Sequence, residues 1–452
     1  MSEESVKKPD MYSSTNKINY YDVVPQIVEA NKKSTISIKN KYITRYDNFK
    51  LEGEYFILIS PMLDFEVAIK SAKEQHPILV EAANNELKFT YEFGSEQDYM
   101  LLVWKKDQLS GDKCILLSTF IYALDEDLYS RVPLKGNTHL HSCYSDGLEE
   151  PLLHIGAALE AGFDYIALTD HNNYEGSVNA LDFLNKLTPV GIGEILTILN
   201  GEEFSCNYQP MHIISLGADC AVPANYYWTE DEIPELLGET EKLDWIMEKL
   251  TLLCNFVHEH GGKVVICHPY WKPVFDWVRL DAPHSLLKRF ITSGLIDAFE
   301  VIGGSPKGGT IICQEQYLLA MELMREAPRP YAVLGQSDSH IVNTKDDSNV
   351  FATHYTITFS KSNSREHILE AIDDRYTVAV EETDGKCLYY GTLRLVNFCR
   401  FLEKHYFLKM KEERRLYYKI FNLCATGDMK AGEILSDALK KVKTFTFNSL
   451  KK

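Results

Sequence analysis

From about residue 131 to residue 387, short apolar runs that are typical of buried strands alternate with stretches of helical periodicity. Strand–helix alternation of this length predicts a parallel sheet covered by helices, either a barrel or a doubly wound sheet. Such sheets place their functional residues at the carboxyl ends of their strands. The pattern therefore predicts an α/β fold and indicates where in the chain the chemistry should lie.

The segments on either side of this region have different patterns. Between residues 19 and 130, short runs rich in β-branched and aromatic residues are separated by turn sequences, which predicts a small antiparallel β-sandwich domain. Residues 388–452 have apolar residues at helical spacing and carry 14 Lys/Arg against 6 Asp/Glu, which predicts a basic helical extension. Residues 1–18 are polar and are predicted to be disordered. The strands expected in the sandwich are 34–43, 54–59, 65–69, 87–91, 99–104 and 114–122.

The composition excludes several classes of protein. Hydrophobic residues make up 45% of the 452 residues and charged residues 25%, which is typical of a globular chain and excludes fibrous and disordered proteins. The formal net charge of −18 argues against a protein that grips duplex nucleic acid or an anionic membrane, although the basic extension could bind RNA. The chain has no apolar leader, no apolar run of 18 residues and no Cys-x-x-Cys pair among its ten cysteines. We therefore expect a soluble, cytoplasmic protein with reduced thiols.

Histidines and carboxylates collect at the ends of the predicted strands in the 131–387 region. His139 and His141 form a His-x-His pair on a predicted strand, so both imidazoles should project from one face and chelate one ion. A second such pair, His258 and His260, lies in a helical stretch, where positions i and i+2 point apart, and we expect it to be solvated surface. The first pair differs in having seven further metal-binding side chains at or beside strand ends: Asp146, His171, Glu203, His212, His268, Asp338 and His340.

Six histidines and three carboxylates at one edge of a sheet are enough to bind two or three divalent ions. Nitrogen and oxygen donors without thiolate suit zinc, manganese or iron, and the residue types alone do not choose among these metals. Three thiols are close to these residues in the sequence, namely Cys143, Cys206 and Cys267. We expect them to be small apolar core residues rather than ligands.

These motifs resemble those of the PHP (polymerase and histidinol phosphatase) superfamily of metal-dependent phosphoesterases. The resemblance covers about residues 133–382 and rests on the nine residues above in their order along the chain, with Thr-Asp-His ending at His171 and His-Pro at 268–269. A narrower likeness is to the carbamate-hydrolase-like (CehA/McbA-type) branch, through segments 121–128, 133–141, 170–172 and 375–378. The resemblance implies a distorted seven-stranded β/α barrel.

The resemblance also implies a role for each of the nine residues. Glu203, which the family's Gly-x-Glu spacing selects over Glu202, would bridge two ions. Asp170 would orient a ligand rather than bind an ion. Glu203, Asp338 and His340 are the residues expected to act in catalysis. The implied ligands are His139, His141, Glu203 and Asp338 for a first ion, Glu203, His212 and His268 for a second, and Asp146, His171 and His340 for a third.

The expected activity is hydrolysis of a small phosphoester, such as a nucleotide-like or other phosphomonoester, by a metal-bound hydroxide. Water bound to such an ion has a pKa of about 7, and paired ions can clamp the attacking and leaving oxygens. The chain has no Gly-x-Ser-x-Gly sequence to indicate a serine nucleophile. Candidates for contact with a small anionic, phosphate-containing substrate are Trp271, Lys272 and, in a glycine-rich loop, Lys307.

Three alternatives stay open. The same metal site could hydrolyse a carboxyl ester, an amide or a carbamate, which the narrower branch likeness favours. The barrel could instead be a non-catalytic, metal-bound scaffold whose flanking domains bind partners. A binuclear amidohydrolase of the phosphotriesterase kind shares the His-x-His pair, but it needs a bridging lysine where this chain has Glu203.

Overall fold

The chain divides into two compact units, Met1–Ser130 with Thr446–Lys452, and Arg131–Phe445. The segment predicted to be disordered, 1–18, and the predicted strand 65–69 lie outside the described residues. All nine predicted metal ligands belong to the second unit. The computed structural model describes residues 20–41, 50–62, 77–106, 113–205, 211–228, 232, 238–271, 279–280, 284–303, 314–342, 351–383, 385–442 and 445–452.

The first unit is built mainly from β-strands. They are β1 (Tyr21–Val24), β2 (Ile27–Glu29), β3 (Lys32–Asn40), β4 (Gly53–Pro61), β5 (Ile78–Ala82), β6 (Glu86–Phe93), β7 (Gln97–Lys106) and β8 (Lys113–Leu124), followed by helix α1 (Glu126–Tyr129). One sheet has the order β1-β3-β6 and the other β2-β8-β7-β4-β5. Apolar residues of both sheets share a core, for example Ile36 from the first and Ile57 and Leu101 from the second.

Within these strands, burial alternates with the two-residue period of a half-buried sheet. In β4, Tyr55, Ile57 and Ile59 are buried, while Phe56 and Leu58 between them are partly exposed. Successive side chains of a strand point to opposite faces, so one face of β4 is the core face. The short strands β1, β2 and β5 were not predicted, because runs of three to five residues carry little periodicity.

The second unit is a mixed α/β structure. Its strands are β9 (Val132–Asn137), β10 (Tyr165–Ala167), β11 (Thr197–Leu199), β12 (Gly201–Phe204), β13 (Ile213–Leu216), β14 (Lys263–Ile266), β15 (Tyr270–Trp271), β16 (Arg279–Leu280), β17 (Ala298–Ile302), β18 (Ala332–Gly335), β19 (His354–Ser360), β20 (Thr377–Thr383) and β21 (Lys386–Tyr390). Its α-helices are α2 (Pro151–Ala161), α3 (Glu175–Leu187), α4 (Glu239–Glu259), α5 (His284–Thr292), α6 (Gln314–Leu323), α7 (Arg365–Asp373), α8 (Leu393–Leu402), α9 (Leu408–Ala425) and α10 (Met429–Lys440).

The described strands of this unit form two large sheets and one two-stranded pair. The six-stranded sheet has the order β11-β10-β9-β19-β20-β21, the five-stranded sheet has the order β12-β13-β14-β17-β18, and β15 pairs with β16. Two isolated β-bridges join strand ends of the two large sheets. Leu140, beyond β9, bridges to Ser339, beyond β18, and His171, beyond β10, bridges to Glu203 in β12.

The prediction of a parallel sheet is only partly correct. β9, β10 and β11 are parallel neighbours, as are β14, β17 and β18, but β13 is antiparallel to both β12 and β14. β12 ends at Phe204 and β13 begins at Ile213. That connection is shorter than the dozen or so residues that a parallel crossover needs. The strand pattern located most of these strands, but it placed the His139–His141 pair on a strand, whereas β9 ends at Asn137, and it could not show this reversal.

Apolar side chains cover both faces of the five-stranded sheet. Ile213 and Ile266 pack on one face with helix residues such as Phe290 of α5. Their neighbours Ile214 and Val265 pack on the other face, in a second core that includes residues of the six-stranded sheet. The strands are thus buried on both sides, which explains why their sequences are continuously apolar rather than alternating.

The predicted helical C-terminal region is present. Helices α8 and α9 are joined by a π-helical turn, Glu403–Phe407, and α10 follows. α9 packs on α2 so closely that a Cβ at Gly156 would overlap the ring of Phe421. Ser436 of α10 donates a hydrogen bond of 2.9 Å to the carbonyl of Val190. In the part of the chain that is described, no helix is long and apolar enough to cross a membrane.

Candidate metal centre

The nine predicted metal ligands lie together at one end of the strands of the second unit. The sequence predicted that His139 and His141 lie on a strand. They lie instead in the extended segment just beyond β9. Leu140 between them is held by its bridge to Ser339, and the amide of His141 donates to the carbonyl of Ser339 at 3.0 Å. This local pairing keeps the segment extended, so both imidazoles still project to the same side.

The other seven residues lie at or near strand ends or, in one case, in a turn. His171 lies beyond β10, Glu203 lies in β12, and His212 immediately precedes β13. His268 lies beyond β14, and Asp338 and His340 lie beyond β18. Asp146 lies in the turn after His141. Residues that are far apart in sequence therefore meet because their strands end at the same edge.

The carboxylate of Glu203 is the centre of the cluster. Its Oε2 lies 3.3 Å from Nε2 of His139, 3.2 Å from Nε2 of His141 and 3.0 Å from Nδ1 of His171. Its Oε1 lies 2.9 Å from Nδ1 of His212 and 3.3 Å from Nε2 of His268. The two oxygens thus face two different sets of imidazoles, as a bridging carboxylate would.

Asp338 contacts two of the same histidines and completes the inner group, which consists of His139, His141, Glu203 and Asp338. Its Oδ1 lies 3.3 Å from Nε2 of His139 and 3.0 Å from Nε2 of His141. Asp338 has a φ of 51°, in the left-handed region, which is uncommon for a residue other than glycine. Strained backbone of this kind persists where the surroundings over-determine it, and it is concentrated at functional sites.

Asp146 forms the outer group with His171 and His340. Its Oδ2 lies 3.2 Å from Nε2 of His340 and 3.7 Å from Nε2 of His171, and its Oδ1 lies 3.6 Å from Nδ1 of His141. Donor atoms of Asp146, His141, His171 and His340 all lie close enough together to hold one ion. His171 has one ring nitrogen facing Glu203 and the other facing Asp146, so it lies between the inner and outer groups.

The cluster has a buried end and an exposed end. The side chains of His139, His141 and Glu203 are fully buried, whereas those of His171, His340 and Asp146 are 27%, 35% and 56% exposed. Solvent therefore reaches the outer group and also His212, whose side chain is 31% exposed.

Charge pairing sets the protonation of the inner group. Burial opposes protonation of His141, but the nearby carboxylates of Asp338 and Glu203 outweigh it and raise the pKa of His141 to about 9. Burial also opposes ionisation of Glu203, yet the neighbouring imidazoles, His139 foremost, hold the pKa of Glu203 well below its usual range. The carboxylates are therefore ionised, and a bound cation would replace imidazole protons.

The inner group fits a divalent metal. Nε2 of His139, Nε2 of His141 and Oε2 of Glu203 are buried, and no described residue forms a hydrogen bond of good geometry with any of them. Leaving a buried polar atom unsatisfied is costly, so three such atoms that converge within about 3.3 Å need an explanation. A divalent ion accepts all three lone pairs at once, which hydrogen bonds cannot do.

Other side chains hold the ligand-bearing segments in place. Asn137 donates to Oγ of Ser337 at 2.6 Å and so joins the ends of β9 and β18. Asp170 accepts from the amide of Ser142 and from Oγ of Ser145, both at 2.7 Å, and so fixes the turn that carries Asp146. The sequence suggested an orienting role for Asp170, and these contacts agree with one.

Glu300 is a functional candidate that sequence reasoning missed. It lies in the middle of β17, is fully buried, and places Oε2 at 2.7 Å from Nδ1 of His139. A carboxylate at this nitrogen directs Nε2 of the same ring towards Glu203 and Asp338. The signal was present, because a charged residue inside the apolar run Ala298–Ile302 can be buried only with a partner.

The remaining predicted residues fall outside the cluster or outside the described residues. Glu202 points away from it and hydrogen-bonds Tyr227 at 3.3 Å. Trp271 lies in β15, while Lys272 and Lys307, like Cys206, lie outside the described residues. Cys267 is buried within reach of His139 and Glu300, and burial raises the pKa of its thiol well above the usual range.

Comparison with known proteins agrees with this site. Residues 137–307 match the PHP domain family. No curated protein matches the chain significantly. Among solved structures, the chain is similar to a two-domain protein from Bacteroides vulgatus that contains a predicted PHP-like metal-dependent phosphoesterase, with 18% identity, 55% of this chain and 65% of that chain covered, and a TM-score of 0.39. This chain thus spans slightly less than two thirds of that relative.

Two further solved structures are each similar to part of the chain. One is a putative metal-dependent phosphoesterase from Bifidobacterium adolescentis, with 18% identity, 47% of this chain and 89% of that chain covered, and a TM-score of 0.30. The other is an amidohydrolase from Chromobacterium violaceum with bound sulfate, with 20% identity, 47% and 91% covered, and a TM-score of 0.31.

The family match includes the segments that carry most of the clustered donors, from His139 to His268. It lies where the fold brings imidazoles and carboxylates to one edge of the strands. Use of divalent metal ions follows from the two observations together. Residues 137–307 match the PHP domain family, and this match together with the clustered donors shows that the chain is an enzyme.

Proposed function

We propose that this chain is a metal-dependent phosphoesterase that hydrolyses a small phosphate-containing substrate. The observation that carries the proposal is the fully buried carboxylate of Glu203, whose two oxygens face five imidazoles. An ionised carboxylate in the core is costly unless cations pair with it, and metal ions held in this way can activate water and hold an anion.

The nine clustered residues would hold two or three ions. Glu203 would bridge an ion at His139, His141 and Asp338 to an ion at His212 and His268. Asp146, His171 and His340 would hold a third. Zinc, manganese and iron all suit this set of nitrogen and oxygen donors. When bound, the ions would supply Lewis-acid activation of water and of the substrate oxygens.

The chain's own residues would orient these donors and shape the opening of the site. Glu300 fixes the ring of His139, and Asp170 fixes the turn that carries Asp146. The buried inner group excludes bulk water, whereas His340 and His171 line the exposed end. The substrate would therefore approach from the side of Asp146, where His340 is placed to contact it. This is why we assign His340 to catalysis together with Glu203 and Asp338.

We further propose that seven strands of the two large sheets form one distorted barrel. The hydrogen-bonded neighbours β9–β10, β12–β13–β14 and β17–β18, with β14 paired to β17, supply most of the ring. The bridges at His171–Glu203 and Leu140–Ser339 supply the two missing contacts. Both bridges lie at metal-ligand segments, so the ring would close around the site. The first unit would correspondingly be a β-sandwich, since its two sheets share a core.

A cytoplasmic location and a small anionic substrate complete the proposal. Seven described cysteines are free thiols, which suits a reducing compartment. We propose no nucleic-acid partner, because the basic C-terminal helices belong to the second unit and bond within it, through Arg414 to Asp164 and through Ser436 to Val190.

A matched pair of variants tests the assignment. Glu203→Gln should remove bound metal and lower kcat/KM by about 10²-fold or more, because it takes the bridging charge from the cluster. Glu202→Gln changes the adjacent residue, which points away, and should keep both metal and activity. Metal content by mass spectrometry and turnover of a phosphomonoester by the manganese- or zinc-loaded protein are the two measurements.

The substrate panel separates the alternatives. Loaded wild-type protein should cleave phosphomonoesters or phosphodiesters, and not an aryl carbamate or a carboxyl ester. Turnover of the carbamate alone would overturn the phosphoester proposal in favour of carbonyl chemistry at the same site. A wild-type protein that retains less than one ion per chain after loading would refute the metal centre itself.

A further inference from the structure

A second group of metal-binding side chains lies at the other end of strand β13. The strand begins just after His212 and is followed by the turn Gly217-Ala218-Asp219-Cys220. The 21-residue helix α4 ends at Glu259, and the residue that caps it, His260, lies beside this turn. The amide of Asp219 donates to the carbonyl of His260 at 3.1 Å, so the backbone itself holds the two segments together.

Three different donor atoms converge on one point in this group. Nδ1 of His260 lies 2.8 Å from Oδ1 of Asp219 and 3.2 Å from Sγ of Cys220. The carboxylate of Asp219 also contacts the thiol of Cys220 through a side-chain hydrogen bond, so each of the three side chains contacts the other two. A divalent cation would take the place of the shared protons, because all three atoms have lone pairs to donate.

The separations resemble those of the main centre. There, proposed ligand atoms lie 2.9 to 3.7 Å from one another. Tetrahedral zinc with bonds of about 2.0 Å to nitrogen and oxygen and about 2.3 Å to sulfur would place the donors about 3.3–3.6 Å apart. Reaching that spacing needs movements of a few tenths of an ångström by side chains that are partly exposed.

The surroundings also favour a cation. The C-terminal end of a long helix carries partial negative charge, and His260 lies at that end of α4. The ring of His260 is held against Phe256, with ring centroids 4.4 Å apart, so one face of the imidazole is already fixed. Arg365 is the nearby positive group, and it donates to the carbonyl of Gly217. Its charge should make the site weaker than the main centre without removing it.

We propose that Asp219, Cys220 and His260 form a second metal site, selective for a thiophilic divalent ion of the zinc class. Thiolate, imidazole and carboxylate together select such an ion over magnesium or calcium. Because the three side chains are partly exposed, a water molecule would complete the coordination.

This site is separate from the main centre. The four-residue strand β13 places its flanking residues His212 and Gly217 roughly 16 Å apart. An ion at the far end would clamp the end of β13 to the end of α4. The sequence predicted that His258 and His260 point apart, and they do pair with different partners, since His258 lies 2.8 Å from Asp297. The function proposed above uses none of the three ligands.

Cobalt substitution tests the proposal directly. Co²⁺ bound to a thiolate gives a sulfur-to-metal charge-transfer band in the near ultraviolet, and none of the nine proposed ligands of the main centre is a thiol. The full-length protein loaded with Co²⁺ should show this band. Cys220→Ser and His260→Asn should each lose the band and one bound ion per chain. Cys143→Ser, which changes an exposed thiol beside the main centre, should keep both.

A second measurement uses the wild-type protein and needs no variant. Zinc should protect Cys220 from alkylation by iodoacetamide and leave Cys143 reactive, as read by peptide mass spectrometry. Absence of the cobalt band in folded wild-type protein, or its survival in Cys220→Ser or His260→Asn, would overturn the proposal. Equal alkylation of Cys220 with and without zinc would overturn it as well. Phosphoesterase activity enters none of these measurements, so they stand apart from the test of the main centre.

Discussion

The ion pair between Arg414 and Asp164 anchors the C-terminal helices to the sheet that carries the metal centre. Nη2 of Arg414, in helix α9, lies 2.6 Å from Oδ1 of Asp164, which immediately precedes β10. The two residues are only 8% and 6% exposed. The other carboxylate oxygen of Asp164 accepts from the amide of Lys135 in β9 at 2.9 Å. We therefore predict that Arg414→Met strongly destabilises the second unit.

The magnitude follows from the burial of the pair. Removal of one partner of a buried ion pair costs about 3–5 kcal/mol, because the remaining charge is left without compensation. Asp164 keeps its hydrogen bond from Lys135, and methionine keeps most of the apolar stem of Arg414, so we expect the lower end, about 3 kcal/mol. For a domain of this size, 3 kcal/mol corresponds to a fall in Tm of about 4–5 °C.

Urea unfolding followed by circular dichroism, together with amide hydrogen exchange of α9, would measure the effect. Arg415→Met is the matched control, since Arg415 is the adjacent exposed residue and should change stability by no more than about 0.5 kcal/mol. In the double variant Arg414→Met/Asp164→Asn, the loss should be clearly smaller than the sum of the single losses. If Arg414→Met matched Arg415→Met within error, the pair would not anchor the helices.

Three further predictions follow from buried contacts. Burial lowers the pKa of His354 to about 4, below its usual 6.5, so the unfolded chain takes up this proton first as pH falls. The resulting loss of stability should be absent above pH 6.5 and reach about 2 kcal/mol at pH 5. It should disappear in His354→Asn when urea midpoints at pH 7 and pH 5 are compared. Glu300→Gln should weaken metal affinity by about 10–100-fold in competition with a chelator, because the charged partner of His139 is lost. Glu322→Gln, on the exposed face of α6, should leave the affinity unchanged. Equal affinities in the two variants would remove Glu300 from the site. In Gly176→Ala, the new Cβ would overlap the carboxylate of Asp170 and disturb the turn that carries Asp146. We expect kcat/KM to fall about 10-fold or more, while the unfolding midpoint of the second unit shifts by less than it does in Arg414→Met. Unchanged kinetics would show that the turn does not depend on Asp170.

Much of the candidate site could be predicted because its residues follow a rule that local sequence obeys. Glu203 and His268 come at the ends of apolar runs, and strand ends on one edge of a sheet meet in space. Glu300 escaped the same reasoning because it lies within its strand rather than at the end. Only an accounting of buried charge would have found it, since a carboxylate in an apolar strand must have a partner.

The parts that could not be predicted depend on contacts between distant segments. Asp164 and Arg414 are 250 positions apart, and neither has a local pattern that indicates the other. Asp219, Cys220 and His260 likewise meet only because β13 is antiparallel to β14 and α4 ends beside it. The direction of β13 depends on the length of one loop, which strand periodicity does not report.

The gradient of exposure across the main centre has a kinetic consequence. The nitrogens of His139 and His141 are buried, whereas solvent reaches the donors of Asp146, His340 and His212. The cluster would therefore fill from its deep end outwards and lose its ions in the reverse order. A chelator would remove metal in separate phases, the outermost ion first, and the last ion would leave only as fast as the surrounding strand ends open.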